Sequence, residues 1–532
     1  MVLPEETLPG DETEGLAMLA NSMAKNSIVL VLCMSPGSAE RVAKAVAALR
    51  KEAQGVNDDV SERLDAWVER ELHPESELRT HYKKRVLFHH AQMPPRVRLG
   101  IEEAVRARKV DVICATTTLA EGVNFPFSTV IVESLIGHSY QLSPRALWNI
   151  AGRAGRFGVD AEGLCVLFRP ELWANRLKDN TIDDYLQTAL ADIPPVKSAL
   201  AQGISKLNEL VQSGKLSLDD LNNISLSEIK VGGKATADAK SVRALVNIMR
   251  VGYAHASSTG IVDISVDSAP EYESELLASL QLSKSERVFA EDVGKRQRRV
   301  VKRATDENPA LIEIAARVGW SLEAQANIYK WLETRDDWQL EQFGSLVVGG
   351  YVLNVSNVSY LIGPVAKHLL AFDGEALGGA YSYLAEKWIA GMPLSKFEVK
   401  HGSFGEMIAK IYGRMQYLLP WGLFGMHELL KYEAKRRGLV VGDGVSALSV
   451  LAAEGVPNFD ALTLTLSLGI ERADATRLSQ AYKPFRSKAT PIADWLAALP
   501  WTRAEEVVRG VDQRRIDPTF RALHRRLVRE RV

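Results

Sequence analysis

VDVICATTTLAEGVNFPFSTVIVE, residues 110–133, decides the fold. Two runs with apolar cores, Val110 to Ala115 (VDVICA) and Ser128 to Glu133 (STVIVE), flank a stretch that carries three threonines and Gly122. The core of each run, 112–115 and 130–132, is apolar on both faces and too short for an independent helix, which reads as a strand buried on both sides. Outward from it the same kind of run recurs at Ile28 to Leu32, Val86 to Phe88 and Gly163 to Phe168. Helical patterns fill the gaps: Ala39 to Ala53 with Val42, Val46 and Leu49 on one face, then Pro95 to Ala107 and Arg145 to Ala151. Residues 54–82 are charged and helical in pattern. Strands alternating with helices predict a parallel sheet covered on both faces.

The alternation stops after Pro170. Residues 171–310 are predicted to be a mixed, mainly helical connector, with Ile261 to Val266 a candidate strand and a winged helix left open. Residues 311–440 form a helical bundle, and 441–532 two short helices with GV and GI turns before a basic tail. Residues 1–26 are taken as a leader or linker ending in a short helix, and 27–170 as the α/β domain. Two runs are strongly basic: KRQRRVVKR at 295–303, with six basic residues in nine, and the tail 501–532, with nine arginines against five acids. A charge run is more often a solvated helix face than a phosphate-binding surface.

Composition narrows the class. The 532 residues suggest three or four domains, and 46% hydrophobic with 25% charged residues is ordinary for a globular chain. A net charge of -1 leaves no global basic field, so any nucleic-acid contact must be local. Cys33, Cys114 and Cys165 stand singly in apolar runs, which fits neither a disulfide framework nor a zinc site. No metal site is expected. The acidic N-terminus is not a signal peptide, and no uncharged apolar run has the length of a membrane span. The expectation is a cytoplasmic protein with no membrane partner.

Two segments carry chemistry. ATTTLAEGVNFP, 115–126, follows a strand at its carboxyl end, where open α/β sheets bind ligands. Threonine hydroxyls and main-chain N–H groups there can hold phosphate oxygens without selecting a base. Gly122 lets the backbone pass close to a ligand. NIAGRAGR, 149–156, ends a helix and sets Arg153 and Arg156 three residues apart, with Gly152 and Gly155 clearing space around them. Two guanidinium forks suit a transferring phosphoryl group; a pair of surface arginines beside a glycine turn is the alternative.

Together these segments resemble motifs V and VI of superfamily-two helicases, in the superkiller-like and DEAD/DEAH-related branch. FHHAQMPP from Phe88 is similar to the segment that precedes motif V in that branch, and VLVLCMSPGSAERVA from Val29 to motif IV. YLAEKWIAGMPL from Tyr383 and GSFGEMIAK from Gly402 look like its ratchet-helix bundle, and 445–485 like a helix-hairpin-helix element. The resemblance implies a second RecA-like domain followed by a mainly α-helical accessory region. It implies that Arg153 and Arg156 are arginine fingers on ATP, with Gly122, Asn124, Asn149 and Gly152 lining the nucleotide side. Asn149 departs from the glutamine usual there. Ser35, His90, Thr116 and Thr118 would contact the backbone of a DNA or RNA strand, most simply a single strand. Helicases with such a motif V are also common in bacterial genome-defence operons.

GxxxxGK[ST], the phosphate-cradling loop, does not occur in this sequence. Asp11-Glu12-Thr13-Glu14 superficially resembles a DExH box but lies in a proline- and glycine-bordered leader. The expectation is therefore a chain that does not turn over ATP alone. A polypeptide carrying the first RecA-like domain would supply the phosphate-binding loop and hold Mg2+, as a split partner or as the missing part of a longer gene product. The alternative is a non-catalytic adaptor that binds nucleic acid or protein.

Overall fold

The structure is a computed structural model. It describes residues 11–168 apart from 26–27, 54–57, 73–75, 117–126, 135, 138–139, 143 and 156–162. It further describes 198–531 apart from 224, 227–228, 233–236, 261–270, 281, 354, 369–378, 398–412, 489, 511–512 and 514. The candidate strand Ile261 to Val266 and the GSFGEMIAK segment lie outside the described residues. The chain divides into two compact units. One comprises Met1–Pro194, Gly391–Arg414 and Asp460–Val532, the other Pro195–Ala390 and Met415–Phe459.

The first unit is built on a five-stranded parallel sheet. Its strands are β1 (Val29–Leu32), β2 (Val86–His89), β3 (Val112–Ala115), β4 (Thr129–Val132) and β7 (Leu164–Leu167), in the order β2-β3-β1-β4-β7. A two-residue ribbon, β5 (Ile136–Gly137) and β6 (Tyr140–Gln141), precedes the last strand. Central β1 pairs Val29 with Val112 on one side and with Thr129 on the other. All four residues of β1, and all four of β3, are fully buried, because the sheet is covered on both faces.

Helices α1 (Glu12–Met23), α2 (Pro36–Ala48), α3 (Asp59–Glu71), α4 (Glu77–Lys83), α5 (Pro95–Arg106) and α6 (Pro144–Ala151) accompany it. Two of them depart from the sequence pattern. α2 runs over 36–48, not 39–53: Ser35 accepts from Ser38 N at 3.1 Å as N-cap, and Pro36 takes the first helical position. The short helix expected at the end of the leader is α1, capped by Asp11 through Glu14 N, but it is no linker: Leu16, Ala17 and Ala20 lie in the sheet's core. The α/β domain therefore begins before residue 27.

The same unit contains α18 (Phe459–Leu468) from Asp460 onward, α19 (Arg472–Tyr482), α20 (Ile492–Ala498), α21 (Trp501–Arg509) and α22 (Pro518–Arg531). These segments fasten to α3 and α5 through a buried charge network. Arg70 pairs with Asp474 and with Glu471 at 3.3 Å, and donates to the Arg515 carbonyl. Arg96 pairs with Asp517, which also accepts from Trp67 Nε1 at 3.4 Å. Arg96 further donates to the Gly469 carbonyl. The GI turn that resembled a helix-hairpin-helix is thus pinned against α5, its carbonyl already occupied. Residues 441–532 do not act as one element: α17 (Gly444–Glu454) falls in the other unit.

The second unit is mainly helical, with one small antiparallel hairpin, β8 (Val347–Val348) and β9 (Tyr351–Val352). Its helices are α7 (Ala199–Gln212), α8 (Ala237–Ser258), α9 (Glu271–Ser279), α10 (Lys284–Glu307), α11 (Pro309–Val318), α12 (Leu322–Glu333), α13 (Asp337–Gly344), α14 (Val355–His368), α15 (Gly379–Ile389), α16 (Leu419–Arg436) and α17. Among the described residues of 198–307, helices are the only regular elements. Gly425 lets α16 meet Trp320, since a Cβ there would lie 2.2 Å from the indole. Trp388 is core, 1% exposed, and donates to the Ala452 carbonyl at 2.6 Å.

Candidate functional site

The chain crosses from one side of β1 to the other between β3 and β4, so the carboxyl ends of these three strands form the sheet's switch point. Ser35 stands two turn residues beyond β1 and is exposed, but its hydroxyl caps α2. Thr116 follows β3, is half-buried, and is anchored by its N–H to the His89 carbonyl at 3.2 Å. Glu133 follows β4 and ties this edge together. Its carboxylate accepts from Met34 N at 2.7 Å and from the Ser38 hydroxyl. Composition gave no hint of Glu133, because its partners lie about a hundred positions away in sequence.

His90 is at the same edge but not on its surface. It is 2% exposed, stacks on Phe88 with ring centroids 6.0 Å apart, and sets Nε2 3.2 Å from Glu40 Oε1. A direct strand contact by His90 is therefore blocked; Glu40, half-buried on α2, is the group it orients. Neighbouring His89 is held below the usual histidine range by burial, with Glu102 opposing. Cys33 and Cys114 are buried free thiols and Cys165 is a half-buried one. The Cys114 thiol and burial push Cys33 well up, so it is an inert core group.

The arginine turn lies elsewhere. α6 buries Leu147 and Ile150 and leaves Asn149 exposed. Beyond it, Gly152 N bonds to Trp148 O at 2.9 Å, Arg153 N to Ile150 O at 3.0 Å, and Gly155 N to Phe127 O at 2.9 Å. Gly155 has φ of 79°, the left-handed region that favours glycine. Gly163 passes so close that a Cβ would fall 2.0 Å from the Ala154 carbonyl oxygen. Phe127 and Gly163 precede β4 and β7, so this turn is fixed at the amino ends of those strands. Arg153 is half-buried on it.

The structure therefore brings Ser35, His90 and Thr116 to one end of the sheet, and Asn149, Gly152 and Arg153 toward the other. Arg156, Gly122, Asn124 and Thr118 lie outside the described residues. Among the described residues no group of three or more His, Cys, Asp or Glu side chains could hold a metal ion. Among them, too, no helix is long and apolar enough to cross a membrane.

The family model described as helicase conserved C-terminal domain matches residues 62–158. The chain is 33% identical over 162 residues to the Hachiman protein HamB of Bacillus cereus, covering 29% of this chain and 14% of that protein. It is 30% identical over 179 residues to the helicase POLQ-like of Caenorhabditis elegans, covering 31% and 18%. It is 32% identical over 151 residues to the ATP-dependent DNA helicase Hel308 of Aeropyrum pernix, covering 26% and 19%. The chain thus matches less than a fifth of the length of each of these relatives. The α/β domain is of the superfamily-two helicase C-terminal type.

Proposed function

We propose that the chain is the C-terminal half of an ATP-dependent nucleic-acid helicase or translocase, contributing Arg153 and Arg156 to an ATP site shared with a first RecA-like domain. The observation that carries this is the coincidence of the helicase match over 62–158 with a wholly parallel sheet whose arginine turn is clamped at one end. A guanidinium on so constrained a turn suits a phosphate, because its planar fork loses little further freedom on binding. ATP, when bound, supplies the transferable phosphoryl group. Magnesium ligands belong, in this proposal, to the half that carries the phosphate-binding loop, whether a separate polypeptide or a preceding part of a longer chain.

Strand contacts are assigned to the opposite end of the sheet, where Ser35 and Thr116 stand and where main-chain N–H groups can meet a phosphate backbone. Glu133 and Glu40 hold that edge in shape, and His90 acts through Glu40. One rigid sheet between the two ends lets movement of the arginine turn against a partner half carry the strand edge with it.

The test is ATP hydrolysis with single-stranded DNA or RNA, for the chain alone and mixed with a polypeptide carrying the first motor domain. Activity is expected only in the mixture and is expected to fall about 10³-fold or more in Arg153→Ala. A tight complex without hydrolysis would sink the shared-site proposal and leave a nucleic-acid- or protein-binding adaptor.

A further inference from the structure

The nine arginines of the tail do not share one role. Arg515 is spent on docking, pairing with Asp65 at 2.7 Å and Glu69 at 3.4 Å on α3. Arg503 and Arg509 pair within their own helix with Glu506 and Glu505. The final helix α22 differs. Its Phe520, His524 and Leu527 are buried, with Phe520 and His524 against Trp501 at centroid distances of 5.7 and 5.5 Å. His524 Nε2 lies 3.0 Å from the Leu499 carbonyl. With that face anchored, Arg521, Arg525, Arg526 and Arg529 are all exposed on the opposite side.

Arg521 lies over the Trp501 ring, 5.4 Å from its centroid, and Arg526 is 3.6 Å from Glu530. Arg525 and Arg529 have no ion pair among the described residues. Arg521, Arg525 and Arg529 repeat at four-residue spacing, roughly 6 Å per step along one helix face. The strip begins beside Asp517, the residue that receives Arg96 and Trp67 from α5 and α3. It is thus fixed to the α/β domain by buried bonds, and Arg525 and Arg529 take no part in that fixing.

We propose that the exposed arginine face of α22 is a second nucleic-acid contact, a strip that binds the phosphate backbone without sequence preference. The chain as a whole is almost neutral, so this local field is what a polyanion would meet. Nucleic acid is the polyanion argued for because the strip is bolted to a helicase-type domain. The contact needs no nucleotide and stands apart from the ATP chemistry proposed above.

The experiment is a salt titration of the full chain binding a labelled mixed-sequence DNA single strand, with no ATP present. Arg525→Gln with Arg529→Gln is expected to lower the slope of log affinity against log salt by about 1.4, that is ~0.7 for each lost phosphate contact. The wild-type advantage should accordingly shrink about sevenfold between roughly 50 and 200 mM salt. Arg525→Lys with Arg529→Lys should keep the wild-type slope. Lys284→Gln with Lys302→Gln, which removes the same charge from α10, should keep it too. An unchanged slope in the arginine variant, or an equal fall in the lysine control, would overturn the proposal. So would loss of binding to phosphatidylserine vesicles while DNA binding stayed intact, which would identify a membrane surface as the partner. None of these results depends on whether a shared ATP site exists.

Discussion

KRQRRVVKR and the last helix look alike in sequence and end up opposite in structure. In α10, Arg298 is 2% exposed and pairs with Glu273, with Tyr253 5.6 Å away. Arg296 pairs with Asp292 and Asp219, Gln297 holds Arg250, and Arg303 donates to the Asn222 carbonyl. That run is mostly internal wiring. In α22 the arginines face solvent and the helix is held by Phe520, His524 and Leu527. A basic run does not announce where its charges go; the neighbouring acids do.

The largest effect should come from breaking the inner pair. Arg298→Ala leaves Glu273 buried and unpaired, and is expected to cost about 3–5 kcal/mol in urea unfolding. A loss below ~1 kcal/mol would mean that the pair is solvated and the contrast with α22 false. Replacing both partners, Arg298→Met with Glu273→Leu, should recover most of that loss or exceed wild type, by about 1–4 kcal/mol relative to an intact pair in comparable cases. Failure to recover would show that the charges, not the volume, specify the packing of α9 on α10.

A third helix sharpens the comparison with a carboxylate. Glu71 ends α3 beside Arg70, and burial pushes its carboxyl up to about 7, with Arg96 opposing and Glu471 and Asp517 adding. Burial opposes the charge of Arg70 as well, but Asp474, Glu471 and Asp517 outweigh it and hold the guanidinium above its ordinary range. Between the ordinary 4.5 and about 7, the folded protein binds more protons at Glu71 than the unfolded chain does. Stability from this group is therefore present below 4.5 and lost as pH rises to about 7. Glu71→Gln should flatten that fall in a melting-temperature series. An unaltered pH profile would show that Glu71 is ionised in the fold.

The smallest effect belongs to the outer run. Arg525→Gln with Arg529→Gln should shift unfolding by no more than ~0.5 kcal/mol, because no described residue depends on either charge. A loss of ~2 kcal/mol or more would place these arginines in the fold and erase the distinction between the two helices.

The strands were legible because of their apolar cores, and the position of the carboxyl-edge candidates because those residues directly follow strands. Helix boundaries were less so. Ser35-Pro36-Gly37 looks like a turn, yet serine as cap and proline at the first helical position also start a helix, and only the Ser38 N–H decides between them. The short helix α1 was legible behind its acidic, proline-bearing front, but that Leu16 and Ala20 belong to the sheet's core was not. Of the strand-edge candidates, Thr116 directly follows β3, whereas the Ser35 hydroxyl is committed to capping α2. His90 is buried, because Phe88 and Glu40 close over it.

By itself the sequence determined the parallel sheet and the turn after α6, since these depend on periodicity and on residues close in the chain; the helicase C-terminal type of the domain was legible only through the resemblance of its motifs. Tertiary structure alone decided that residues from Asp460 return to α3 and α5, that the arginine turn and the strand edge occupy opposite ends of one sheet, and which arginines are inside. Arg70 meets Asp474 across 404 positions. A charge is stabilised or stranded by what lies within a few ångströms of it, and at that separation only the folded chain sets the distance.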